Sequence, residues 1–110
     1  MKIAVLNCLK TNEVCTGAGC LRALNERSRF FAEYGSTPLT LVAMARCNGC
    51  QAEIDRGFRE KLDRIVSEGA EVCHLGVCTV RLDTKEECHV ITQAAAYLEE
   101  RGVKVVRGTH

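Results

Sequence analysis

Four short apolar runs alternate with three amphipathic segments, and each amphipathic segment stops at a glycine. No other property of the chain restricts its fold as much. The apolar runs cover residues 3–6, 39–45, 72–75 and 103–106. They are apolar almost throughout rather than alternating, as strands become when both faces of a parallel sheet are covered. The segments between them cover residues 21–34, 54–68 and 85–101 and end at Gly35, Gly69 and Gly102. In the second, Ile54, Phe58, Leu62, Ile65 and Val66 return with the helical period; in the third, Cys88, Ile91, Ala94, Ala95 and Leu98 do so. Leu24, Phe31 and Tyr34 mark the first. A glycine suits the left-handed position just past a helix end. Thr84 and Glu87 have the spacing of a capping box for the third helix.

The expected order is therefore β-α-β-α-β-α-β. Right-handed crossovers with one reversal of direction place helices on both faces of an open sheet. The expectation is one α/β domain over residues 1–110, a three-layer α/β/α sandwich. Its four-stranded parallel sheet takes the order 2-1-3-4, a flavodoxin-like arrangement. Ligands in such sheets bind outside the carboxyl ends of the strands, near the point of reversal. All helix N-termini face that edge, each carrying about half a positive charge and unpaired N–H groups.

Eight cysteines occur in the 110 residues, and seven fall where a loop follows an expected strand. Cys8 closes the first run, and Cys15 and Cys20 follow in the same loop. Cys47 and Cys50 close the second, Cys78 follows the third, and Cys88 opens the segment after it. His110 comes just past the fourth. Parallel strands would gather all of these groups at one edge. Thiols from several loops at one edge point to metal or redox chemistry. Cys47-Asn48-Gly49-Cys50 has the spacing of a metal knuckle, in which two sulfurs turn to one ion. Cys73 lies inside a strand and reads as a packed apolar group. His74 beside it reads as a hydrogen-bonded structural residue. His89 follows Cys88 on a helical turn, where neighbours diverge by about 100°. His110 is placed for ligation or for support of a ligand.

Charge and composition exclude several classes. Net charge is +1 with both signs interspersed, so no basic stripe offers itself to nucleic acid. No apolar run approaches the roughly 18 residues of a membrane span. No apolar leader with a small-residue cleavage site follows Met1-Lys2, and the expected location is the cytoplasm. Thiols stay reduced there, so this many cysteines read as metal-binding or catalytic rather than as disulfides. A phosphatase-type loop would need Arg six positions after its Cys, but Val14 and Leu21 stand at those places after Cys8 and Cys15. A thioredoxin-type site would need a later proline, and the one proline, Pro38, precedes Cys47.

Cys8, Cys15, Cys47-x-Gly49-Cys50, Cys78, Cys88 and the closing Gly108-Thr109-His110 together resemble the prokaryotic CGGC-domain family, named for a central Cys-Gly-Gly-Cys. The likeness spans nearly the whole chain and includes residues 1–5 and 71–75. Asn48 replaces the first glycine of the name motif, and a Cys-Pro-His pattern appears here as Cys88-His89 without the proline. The resemblance implies metal binding, zinc first, and no established reaction.

The expected function is thus a metal-binding protein whose partner is a metal ion. Zinc is preferred because it favours thiolate-rich tetrahedral sites. Cys8, Cys47, Cys50 and Cys78 are the expected core donors. Cys15, Cys20, Cys88 and His110 are further ligands or reserve. Two alternatives use the same residues: an iron–sulfur cluster on four thiolates, and a thiol redox enzyme working through the C-x-x-C.

Overall fold

The computed structural model describes residues 1–50 and 53–110. The strands are β1 (Lys2–Asn7), β2 (Thr40–Arg46), β3 (Val72–Leu75) and β4 (Lys104–Arg107). The helices are α1 (Ala18–Glu26), α2 (Arg56–Ser67) and α3 (His89–Glu100). Short 3-10 turns cover Thr11–Glu13, Arg29–Tyr34 and Val77–Thr79. All strand pairs are parallel and the sheet order is β2-β1-β3-β4, as the alternation of segments requires. β1 is central. It pairs Asn7 with Arg46 on one side and Leu6 with Leu75 on the other.

Strand alternation divides the core between the two faces. Ala4, Leu6, Cys73 and Leu75 meet Phe58, Leu62 and Ile65 of α2 and Val90, Ile91 and Leu98 of α3. Ile3, Val5 and Val72 meet Ala23 of α1 and Phe31 on the opposite face. The reversal of chain direction at β1 produces this split, with one crossover on one face and two on the other. Asp55 caps α2, accepting from the Phe58 amide at 2.7 Å.

Two expected helices begin or end elsewhere. The first does not run through residues 21–34. It starts at Ala18 and stops at Arg27, whose φ is +55°. Such a conformation costs a non-glycine residue roughly 1–2 kcal/mol. Arg27 offsets part of this with hydrogen bonds from its guanidinium to the carbonyls of Gly35 and Thr37, at 3.2 and 2.7 Å. The turn at Arg29–Tyr34 then lays Phe31 flat on His74, with ring centroids 4.3 Å apart. The last helix starts at His89 rather than Lys85. Residues 80–87 instead fold back on themselves, with Val80 bridged to Glu87 and the Arg81 amide bonded to the Glu86 carbonyl. Thr84 therefore caps nothing; its hydroxyl accepts from the Glu86 amide. Glu87 turns to Arg107, 2.7 Å away, and Cys88 takes the N-cap position.

His74 is structural, as expected. It is fully buried. Its Nδ1–H donates to the Gly108 carbonyl at 2.8 Å, so in the neutral ring Nε2 accepts from the Tyr34 hydroxyl at 2.6 Å. Burial holds the imidazole below its ordinary value, although the Gly108 carbonyl and Glu33 favour the proton. The unfolded chain takes up this proton near pH 6.5 and the folded protein only at lower pH. The unfolded state thus binds more protons in that window, and stability falls as pH drops through it. The urea midpoint should decline as pH is lowered from about 7.5 to about 5.5. His74→Gln should lower the midpoint at the upper pH and flatten this part of the slope.

Candidate metal centre

The carboxyl ends of the strands gather the thiols. Cys8 follows β1 directly and Cys47 follows β2 directly. Cys78 stands in the turn Val77–Thr79 beyond β3. Cys20 lies in the first turn of α1, and Cys88 caps α3. Cys50 and Cys15 are exposed in loops at the same edge.

The turn leaving β1 organises three of these sulfurs. The Cys8 amide donates to Cys78 Sγ at 3.2 Å, and the Leu9 amide donates to Cys47 Sγ at 3.3 Å. Two successive backbone donors, of Cys8 and Leu9, are thereby directed at sulfurs that follow β3 and β2. Successive amides turned to one side form an anion-binding concavity. The Lys10 and Thr11 amides and the Thr11 and Cys47 side chains favour the Cys8 thiolate electrostatically. Burial would raise the Cys8 thiol; these donors outweigh it and hold the thiol below its ordinary value. Cys78 moves the other way. Burial pushes it up, the Cys8 amide pulls it down, and the adjacent Cys8 and Cys20 sulfurs resist a further negative charge. A cation among them would relieve that repulsion.

Cys78 also separates two cavities. One, of about 600 Å³, is lined by Cys15, Cys20, Cys78 and His110 with Asn7 and apolar Val77 and Leu82. The other, of about 520 Å³, is lined by Cys8, Cys50, Cys78 and Cys88 with His89 and Glu87. Cys47 lines neither. It is 4% exposed and packs into the core on the α2–α3 face. Cys20 Sγ lies 3.2 Å from Thr109 Oγ1 and 3.8 Å from His110 Nδ1. Glycine at position 19 allows this approach, since a Cβ there would come within 2.9 Å of the His110 ring.

A family model, the CGGC domain, matches residues 2–110. The chain belongs to the CGGC-domain family. Membership supports a metal-binding role. No curated protein and no solved structure matches the chain.

In this CGGC domain the name motif is anchored through its variant residue. Asn48 donates to Asp55, the cap of α2, at 3.0 Å and accepts from Lys61 at 2.7 Å. Lys61 also holds the Arg46 carbonyl at 2.8 Å. The knuckle loop is thereby tied to the start of α2, while Gly49 takes the left-handed φ of +109° that the loop needs. Among the described residues, no three His, Cys, Asp or Glu side chains already converge on one point as a preformed cage. The donor chemistry nevertheless fits a soft ion. A thiol reorients by a single rotation between staggered wells, and Cys8, Cys50, Cys78 and Cys88 face one cavity.

Sequence reasoning missed the amides of Cys8 and Leu9, because backbone donors carry no residue signature. It also missed Asn7 and Thr109, buried at 4% and 0% exposure. Asn7 Oδ1 lies 3.8 Å from Cys78 Sγ, and Thr109 touches Cys20. Their signal was present as a polar residue directly before a candidate ligand, Asn7 before Cys8 and Thr109 before His110. Cys73 is apart from the edge, fully buried in β3, and burial pushes its thiol up to about 12. Native alkylation followed by mass spectrometry should label the exposed Cys15 and Cys50 first. Cys73 should stay unlabelled until denaturant is added.

Proposed function

We propose that this CGGC domain binds one soft metal ion, zinc in the first instance, through Cys8, Cys47, Cys78 and Cys50. One observation carries the reading: the successive amides of Cys8 and Leu9 donate to the sulfurs of Cys78 and Cys47, beside a Cys8 thiol held below its ordinary value. Sulfur is a weak acceptor as a thiol and a better one as a thiolate. A turn whose successive donors serve sulfurs that follow two strands stabilises anions that would otherwise repel one another. Zinc bound there would act as a closed structural ion and supply no redox chemistry of its own. The chain's part is to fix three donors on adjacent strand exits and bring Cys50 in on the Gly49 loop. Cys15, Cys20, Cys88 and His110 stand beside this set as further ligands or reserve. The proposed setting is the reducing cytoplasm, where these thiols remain available.

An iron–sulfur cluster is the second reading, since hydrogen bonds to sulfur also tune such clusters. Elemental analysis and the visible spectrum of anaerobically prepared protein separate the two: zinc leaves it colourless and a cluster makes it brown. We expect one zinc per chain. Cys47→Ser and Cys78→Ser should each weaken zinc about tenfold or more, because a hydroxyl is a poor ligand for soft metals. Cys73→Ser should retain it. Equal zinc content in all three variants would overturn the assignment.

A further inference from the structure

The pairing of β1 with β2 continues past the strands themselves. Asn7 opposes Arg46, and the Cys47 amide donates to the Asn7 carbonyl at 3.0 Å. Cys8 and Cys47 are the next residues past the two strands. Neighbouring strands lie about 4.8 Å apart, within the Cα separations of roughly 4.4–6.8 Å that a disulfide spans. Cys47 packs on the α2–α3 face, and Cys8 lines a cavity beside Cys88 and His89 at the start of α3. The C-x-x-C spacing would instead pair Cys47 with Cys50. In the structure these two diverge: Cys47 is buried against the Leu9 amide, while Cys50 is exposed and faces Cys78 and Cys88.

We propose that Cys8 and Cys47 form a dithiol–disulfide couple that a hydroperoxide can oxidise, with Cys8 attacking and Cys47 resolving. Access sets the roles. Cys8 is half-buried and lines an open cavity of about 520 Å³, whereas Cys47 is 4% exposed. The Cys8 thiolate attacks one peroxide oxygen. The S–O bond forms, the O–O bond breaks, and the alkoxide leaves as alcohol after taking a proton. Cys8 is then a sulfenic acid. The Cys47 sulfur attacks it, the S–S bond forms, the S–O bond breaks and water leaves. The two thiols lose two electrons together, and one hydroperoxide gains them. An external dithiol restores the couple by exchange.

Cys8 and Cys47 are also donors in the metal reading above, and a sulfur in a disulfide cannot serve as a thiolate ligand. Metal and disulfide therefore exclude each other, and peroxide should release a bound ion. That consequence alone rests on the metal reading; the couple does not.

The test uses full-length protein, reduced, stripped of metal and treated anaerobically with one equivalent of hydrogen peroxide. It is then blocked with N-ethylmaleimide and mapped by mass spectrometry. We expect a Cys8–Cys47 crosslink as the main product, with one peroxide consumed per disulfide. Cys50→Ser should keep the crosslink, since Cys50 is exposed and outside the pair. Cys47→Ser should lose it and leave a Cys8 sulfenic acid that dimedone traps; circular dichroism checks that this variant is folded. A Cys47–Cys50 disulfide in the parent protein, or loss of the crosslink in Cys50→Ser, would overturn the proposal. Repeating the oxidation on zinc-loaded protein should release zinc in step with crosslinking. Protein that crosslinks but never binds zinc would overturn the metal reading and leave the couple standing.

Discussion

The thiol edge depends on the parallel pairing of β1 with strands on both sides. Ile3, Ala4, Val5 and Leu6 are each 2% exposed or less, because helices cover both faces and β2 and β3 occupy both edges. A strand held this way cannot slip by one residue without exchanging its two buried sets of side chains. Its exit is therefore fixed relative to those of β2 and β3. Cys8, Cys47 and Cys78 are brought together by that register and not by nearness in sequence. Once β1 ends, its next amides have no ladder to join. They turn to the sulfurs instead. A buried amide must find an acceptor, so the same requirement that holds the sheet together also builds the concavity at its edge.

A second constraint acts through β4. The His74 ring holds the Gly108 carbonyl, and Phe31 stacks on that ring. This fixes the chain just past β4, where Thr109 is buried against Cys20 and His110 lies over Gly19. Without it, the last residues would fray as chain ends commonly do. The histidine that reads as a candidate structural residue thus positions the histidine that reads as a candidate ligand. Cys78, between Cys8 and Cys20, joins the two halves of the edge. The arrangement concentrates sulfur near helix N-termini without closing a cage. In the proposed reading an ion binds as the side chains rotate in, and a neighbouring pair oxidises when no ion is there.

Much was legible in the sequence for a simple reason. Continuous apolar runs between amphipathic segments with terminal glycines admit few packings, and the crossover rule leaves one hand for each. The strand order, the common edge of the cysteines, the inward place of Cys73 and the structural role of His74 all follow from that local pattern. The family likeness could be read from the same cysteines together with Gly108-Thr109-His110. What the pattern did not carry was any contact made across the sheet. No glycine or proline marks the break at Arg27, which arises because Phe31 must lie on His74, more than forty residues away in the chain. The Thr84–Glu87 spacing is a sound local cap, but Arg107 draws Glu87 away from it.

The same distinction holds at the site. Residue types and spacing determined that soft donors would collect at the carboxyl edge, because parallel strands all end on one side. Only the tertiary structure decided which sulfurs are neighbours. Cys47 and Cys50 are close in sequence yet face different surroundings, while Cys8 and Cys47, far apart in sequence, directly follow the paired residues Asn7 and Arg46. Sequence spacing sets an upper limit on how far apart two residues can lie. Register, burial and the direction of each side chain decide whether they meet, and those are properties of packed strands rather than of the chain alone.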